Sequence, residues 1–151
     1  MDLDNIKQFE QGSPTRLVSQ LNRLNQNFLA GPISAVGIAR GTLPFVMEVL
    51  CREGIFQEEL SRLLSIDRAA TARALLQLEN DGFVERREDP KDRRRKRVYA
   101  TDKMRDLRDD IMNILTHQRE VLFQGFGEQE RALFLNMLER MIDNMLAPTA
   151  T

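Results

Sequence analysis

The sequence predicts a mainly α fold with one small β-hairpin. Three observations carry this. Apolar residues recur at three- and four-residue spacing along most of the 151-residue chain. Glycine and proline punctuate those runs at Gly12-Ser13-Pro14, Gly31-Pro32, Gly41–Pro44, Gly54, Asp81-Gly82 and Phe126-Gly127. The period changes only over 83–101, where Phe83-Val84 and Val98-Tyr99 flank the turn former Asp89-Pro90. The length fits one domain with a sizeable core.

Residues 1–13 open with a weakly apolar stretch, Leu3, Ile6 and Phe9. Ser13 or Pro14 starts an amphipathic helix whose stripe is Leu17, Leu21, Leu24 and Phe28. The Ala30-Gly31-Pro32 signal ends it, leaving Ile33–Arg40 as a partial helix or loop. Thr42 is placed to cap a second helix, with Pro44 in its first turn and Phe45, Val46, Val49 and Leu50 on its apolar face. Gln57–Leu64 forms a third, short helix with Leu60, Leu63 and Leu64 inward. Ser65-Ile66 is a tight turn, and Asp67 caps the next helix, which closes at Asp81-Gly82. There Thr71, Ala74, Leu75 and Leu78 share one face, and Ala69, Arg73 and Gln77 lie opposite. Helix, turn, helix and two-stranded wing make a winged helix-turn-helix. Thr101 then caps a long helix with the stripe Met104, Leu107, Ile111, Ile114 or Leu115, and Leu122. The last helix starts near Glu128 and repeats Phe134, Met137/Leu138, Met141/Ile142 and Met145/Leu146.

The hairpin carries the chemistry. Residues 86–97 hold eight basic side chains against Glu88, Asp89 and Asp92, a net of +5 in a chain of −1, so the remainder sums to −6. A solvated charged loop is the ordinary fate of such a run. A basic spot on an acidic body is also what a protein needs to meet a polyanion. The hairpin tip and the neighbouring helix favour the second reading. A slim helix bearing Arg68 and Arg73 fits a DNA major groove, roughly 12 Å wide, where Arg bonds guanine O6 and N7 together.

Other classes have less support. Lone His117 and lone Cys51 fall short of the four ligands of structural zinc, and no glycine-rich phosphate loop occurs, so no metal or cofactor is expected. The same pair leaves no nucleophile and base for an enzyme. One cysteine cannot close an internal disulfide, and no apolar run approaches ~18 residues, so a cytoplasmic protein without a membrane span is expected. Greasy end helices read as a homodimer interface. A helical module whose basic hairpin docks an acidic protein is the competing class.

From Thr42 to Lys103 the chain resembles the MarR-type transcriptional regulators. The resemblance rests on Gln57-x-x-Leu60, on Ile66-Asp67 with Arg73 and Leu78-Glu79, and on Asp81-Gly82-Phe83-Val84-x-Arg86. It continues in Asp89-Pro90-x-Asp92-Arg93-Arg94 and Lys96-Arg97-Val98-Tyr99-x-Thr101. It implies a regulator, most often a repressor, binding double-stranded DNA as a homodimer. Residues 1–40 and 102–151 would supply dimerisation helices, and 41–101 the DNA-binding lobe. Arg73 with Ala69 and Ala70, flanked by Arg68 and Gln77, would read the major groove. Arg94 would enter the minor groove, oriented by Asp92 through a charge-assisted bond. Arg93, Arg95, Lys96 and Arg97 would meet phosphates. Three positions depart from the family: Phe56 where Thr or Ser often starts the third helix, Leu76 at a usually polar place, and Met104 where Gly is common.

The resemblance also implies sensing. A small aromatic or phenolic acid is the common effector. Cysteine oxidation would fall to Cys51, whose apolar setting beside Leu50 suits a buried, inert small hydrophobe better.

Overall fold

A computed structural model describes residues 3–147. The order is α1 (Leu3–Gln11), α2 (Pro14–Ala35), α3 (Leu43–Cys51), β1 (Ile55–Phe56), α4 (Gln57–Leu64) and α5 (Arg68–Asn80). Then come β2 (Val84–Glu88), β3 (Lys96–Ala100), α6 (Asp102–Asp106), α7 (Arg108–Leu122) and α8 (Glu128–Leu146). The chain divides after Leu115 into two compact units. No helix among the described residues is long and apolar enough to cross a membrane.

Ser13 starts α2 as expected, accepting a bond from the Arg16 N–H at 3.3 Å, with Pro14 next. The helix then runs through Gly31-Pro32 rather than stopping there. A proline inside a helix costs about 3 kcal/mol. Leu29 and Ile33, 7% and 5% exposed, bracket it, and each such burial stabilises by about 1.5–3 kcal/mol. Burial therefore offsets the break. The stop lies five residues after Pro32, at Gly37 with φ +84°. There the Ile38 N–H bonds the Ile33 carbonyl and the Gly37 N–H bonds that of Ser34, the paired closure that positive φ makes possible.

Thr42 precedes α3 but does not cap it with its side chain. Its backbone is already helical, and its hydroxyl donates back to the Ala39 carbonyl at 2.8 Å. Cys51 ends α3 and is exposed rather than buried, because the core face of the helix is Phe45, Val46 and Val49. In α4, Leu60 is fully buried, whereas Leu63 is 39% exposed; the hydroxyl of Ser61 instead turns inward and donates to the Ile66 carbonyl. Ser65 makes the turn in the left-handed region, φ 52°. Asp67 caps α5 by accepting from the Ala70 N–H at 2.7 Å, and Gly82 closes it at φ +78°.

The wing has three strands, not two. The order is β1-β3-β2, all antiparallel, with Ile55 opposite Val98 and Arg86 opposite Val98 on its other side. An isolated hairpin is marginal in water, and the short third strand ties this one to the helices. The core joins Leu29, Ile33 and Ile38 to Phe45, Val46, Val49, Leu60, Leu75, Leu78, Phe83, Val84, Val98, Met104 and Ile111.

Thr101 caps α6 through the Met104 N–H, but the expected long helix breaks at Leu107, φ −84° and ψ −5°. Met104 is fully buried and fills core where a glycine could not. In the second unit Gly127 starts α8, its N–H donating to the Glu130 carboxylate at 2.8 Å. Phe123 meets Phe126 and Phe134 edge-on at 5.9 and 6.0 Å. No residue of α8 is buried; Leu133, Ile142 and Met145 are 55%, 56% and 87% exposed.

Two glycines test where α2 ends. Gly37→Ala, forced to hold positive φ, is expected to lower stability by about 1 kcal/mol. Gly31→Ala, in open helix interior, should be neutral or stabilise by up to ~1 kcal/mol. Urea denaturation of both variants measures this, and equal penalties would place the stop elsewhere.

Candidate nucleic-acid interface

The first turn of α5 and the wing lie beside each other. A groove of about 220 Å³ between them is lined by Gln57 and Ser61 of α4, Arg68 and Thr71 of α5, and Arg94 and Lys96 of the wing, with Glu58 and Arg95. Arg68, Ala69, Arg73 and Gln77 are exposed on α5, and Ala70 is half-buried. Leu76 is 48% exposed, so it lies on the surface instead of packing against the wing. Gln77 donates to Asp81 at 2.9 Å. Among the described residues the side chains of Arg68, Arg73, Arg93, Arg94 and Lys96 make no hydrogen bond or ion pair.

The tip, 89–95, is a backbone-bonded loop. The Asp89 N–H bonds the Arg95 carbonyl and the Arg95 N–H bonds that of Asp92, both at 2.9 Å. Asp92 accepts from the backbone N–H of Arg94 at 3.1 Å, not from its guanidinium as the resemblance implies. It shapes the turn and leaves that guanidinium unpaired.

Three other arginines of the basic run face inward. Arg97 donates to Asp89 at 2.9 Å and to the Gly54 carbonyl at 3.0 Å, and its guanidinium lies 4.0 Å from the centre of the Phe56 ring. Two of its N–H groups are thus bonded inside the protein, which leaves fewer donors for the phosphate contact the resemblance implies. Arg95 stacks on the same ring at 3.5 Å and pairs with Glu58 at 2.5 Å. Arg86 bonds Glu79 at 2.6 Å and Gln57 at 3.4 Å, with only 15% of its side chain exposed. Its hydrogen bond, against the opposing pull of burial, holds the Glu79 carboxyl below its usual 4.5. Arg97 does the same to Asp89. At the other end of α5, Lys103 donates to the Asp81 carbonyl at 2.6 Å, a cation on a helix C-terminus, and lies 4.4 Å from the Phe83 ring centre.

Sequence reasoning missed Phe56, Glu58 and Asp89 as parts of this site. The available signal was an aromatic side chain where a capping residue is usual, beside a run of arginines. No group of three or more His, Cys, Asp or Glu is gathered among the described residues where it could hold a metal ion.

Known proteins match this arrangement. The family model described as the MarR family matches residues 46–96, from α3 into β3. The HTH-type transcriptional regulator YdgJ of Bacillus subtilis (strain 168) is 30% identical over 112 residues, covering 74% of this chain and 68% of that protein. The crystal structure of a MarR transcriptional regulator from Methanosarcina mazei Go1 is 39% identical, covers 87% of this chain and 95% of that one, and superposes with a TM-score of 0.81. The chain belongs to the MarR family. It is a DNA-binding transcriptional regulator. A MarR family regulator from Listeria monocytogenes complexed with 26mer DNA shares the fold, with a TM-score of 0.84, 22% identity and coverage of 88% of this chain and 89% of that one. For a MarR regulator the split among the arginines is the informative feature: some build the wing, others stay free at its surface.

Arg86→Ala is expected to lower stability by about 1–3 kcal/mol, because it leaves Glu79 without its partner. The sign with pH follows. Glu79 titrates lower when folded, so the pair's contribution is present above the ordinary carboxyl range and is lost as pH falls through the folded value. Denaturation midpoints at neutral and acid pH should therefore differ less in Arg86→Ala than in the native protein. An undiminished difference would place the acid sensitivity elsewhere.

Proposed function

We propose that this MarR regulator acts as a homodimeric repressor on a pseudo-palindromic operator. The observation that carries the proposal is the set of unpaired arginines, Arg73 on the recognition helix α5 and Arg93 and Arg94 on the wing. Arg73, with Ala69, Ala70, Arg68 and Gln77 around it, enters the major groove. Arg94 enters the adjacent minor groove, while Arg93 and Lys96 meet phosphates. Small side chains at Ala69 and Ala70 let the helix approach the base edges.

Pairing is supported by uncovered apolar side chains at both ends of the chain. In α1 and α2, Leu3, Phe9, Leu17 and Leu24 are 72%, 75%, 53% and 59% exposed. The stripe of α8 is equally open. A monomer rarely leaves so much apolar surface in water. Residues 1–40 and 102–151 would form the shared body, setting two copies of 41–101 at the helical repeat of DNA. That the Listeria regulator of the same fold is complexed with 26mer DNA supports duplex DNA as the partner. A small aromatic or phenolic acid is the releasing ligand that the resemblance implies. An acidic protein partner, the other class open to a basic hairpin, makes no use of Arg73.

Selection from a random duplex library should return a palindrome with half-sites ~10 bp apart. Arg73→Ala should weaken binding to that site by about 1–3 kcal/mol and relax base preference at one position. Arg94→Ala should weaken binding and reduce its salt dependence. Sedimentation should show a dimer; a strict monomer, or full affinity in both variants, overturns the proposal.

A further inference from the structure

The basic run does not act as one charge. Arg95 and Arg97 lie over a single ring, Phe56, at 3.5 and 4.0 Å. That ring occupies the start of α4, where its side chain makes no cap. Two residues on, Glu58 pairs with Arg95 and is the acid among the four basic side chains lining the groove between wing and helices. Arg97 is bonded further to Asp89 and Gly54.

We propose that Phe56 and Glu58 set how many phosphates the wing engages: Phe56 seats Arg95 and Arg97 against α4, and Glu58 keeps Arg95 from the DNA. An ion pair as open as Arg95–Glu58 is weak by itself. The aromatic face beneath the guanidinium adds a second attraction in the same place. A phosphate approaching Arg95 also meets the Glu58 carboxylate, and that repulsion cancels much of its gain. Arg94 and Lys96 line the same groove but, like Arg93, are bonded to no carboxylate, and these three carry the phosphate contacts. Phe56 and Glu58 are thus positioning residues; neither needs to touch DNA. The inference rests on the DNA-facing role of Arg94 proposed above, and the test separates the two.

The full chain is titrated with a random-sequence duplex at several salt concentrations. Nonspecific binding is electrostatic, and log K falls with log salt by about 0.9 per phosphate engaged. Arg94→Gln should make the slope shallower by about 0.9 per subunit, and Arg95→Gln should leave it unchanged. Glu58→Gln should steepen it by about 0.9 per subunit, and adding Arg95→Gln to Glu58→Gln should restore the native slope. Phe56→Leu should steepen the slope in the same direction as Glu58→Gln, because Arg95 is then held by Glu58 alone, and Phe56→Tyr should keep the native slope. A shallower slope in Arg95→Gln, or a Glu58→Gln effect that survives in the double variant, overturns the inference: Arg95 is then an ordinary phosphate contact, or Glu58 acts only by bulk charge. An unchanged slope in Arg94→Gln removes the wing from the DNA and both readings fall together.

Discussion

The bonds of Arg86 to Glu79 and Gln57 set the geometry on which the rest of the interface depends. They join β2 to α5 and α4 at one guanidinium that is mostly out of water. A charge in that position is tolerated only when its donors are matched, and here two elements supply the acceptors. The wing is thereby held at a defined angle to the helix that carries Arg73. That tie adds to the β1–β3 pairing and to the burial of Val84 and Val98 in fixing the wing against the helix.

A second consequence follows for the charge. Counted along the chain, 86–97 is strongly basic. In the fold, Glu79, Asp89 and Glu58 stand against Arg86, Arg97 and Arg95. What faces outward is Arg87, Lys91, Arg93, Arg94 and Lys96 on the wing, with Arg68 and Arg73 on the helix; of these Arg87 is paired with Glu85. The same residue type thus serves two physical roles. A guanidinium that lies on an aromatic ring and bonds a carboxylate is mortar. One held by a turn, with only its backbone N–H bonded to Asp92, is free to bind a partner.

Much of this was legible beforehand, for local reasons. The caps at Ser13, Asp67 and Thr101, the stop at Gly82 and the bounds of α4 follow from side chains bonding the nearest backbone. The outward face of α5 follows from helical period alone. The misreadings share a cause. Pro32 looked like a stop because its effect on its own helix is local, whereas Leu29 and Ile33 are held by residues far along the chain. Strand β1 escaped notice because two residues show no period; its partner lies in the wing. Cys51 looked buried because its neighbours are apolar, although its place at the end of α3 leaves it outside.

The order of residues therefore determined which segments are helical, where most begin, and that a basic hairpin follows an arginine-bearing helix. Those properties depend on neighbours within a few positions. Tertiary structure alone decided which arginines are turned inward, since their partners Glu58, Glu79 and Phe56 lie up to some forty residues away in sequence. A run of like charges has no internal signal for that division. It is made by the shape of the surface on which the run comes to rest.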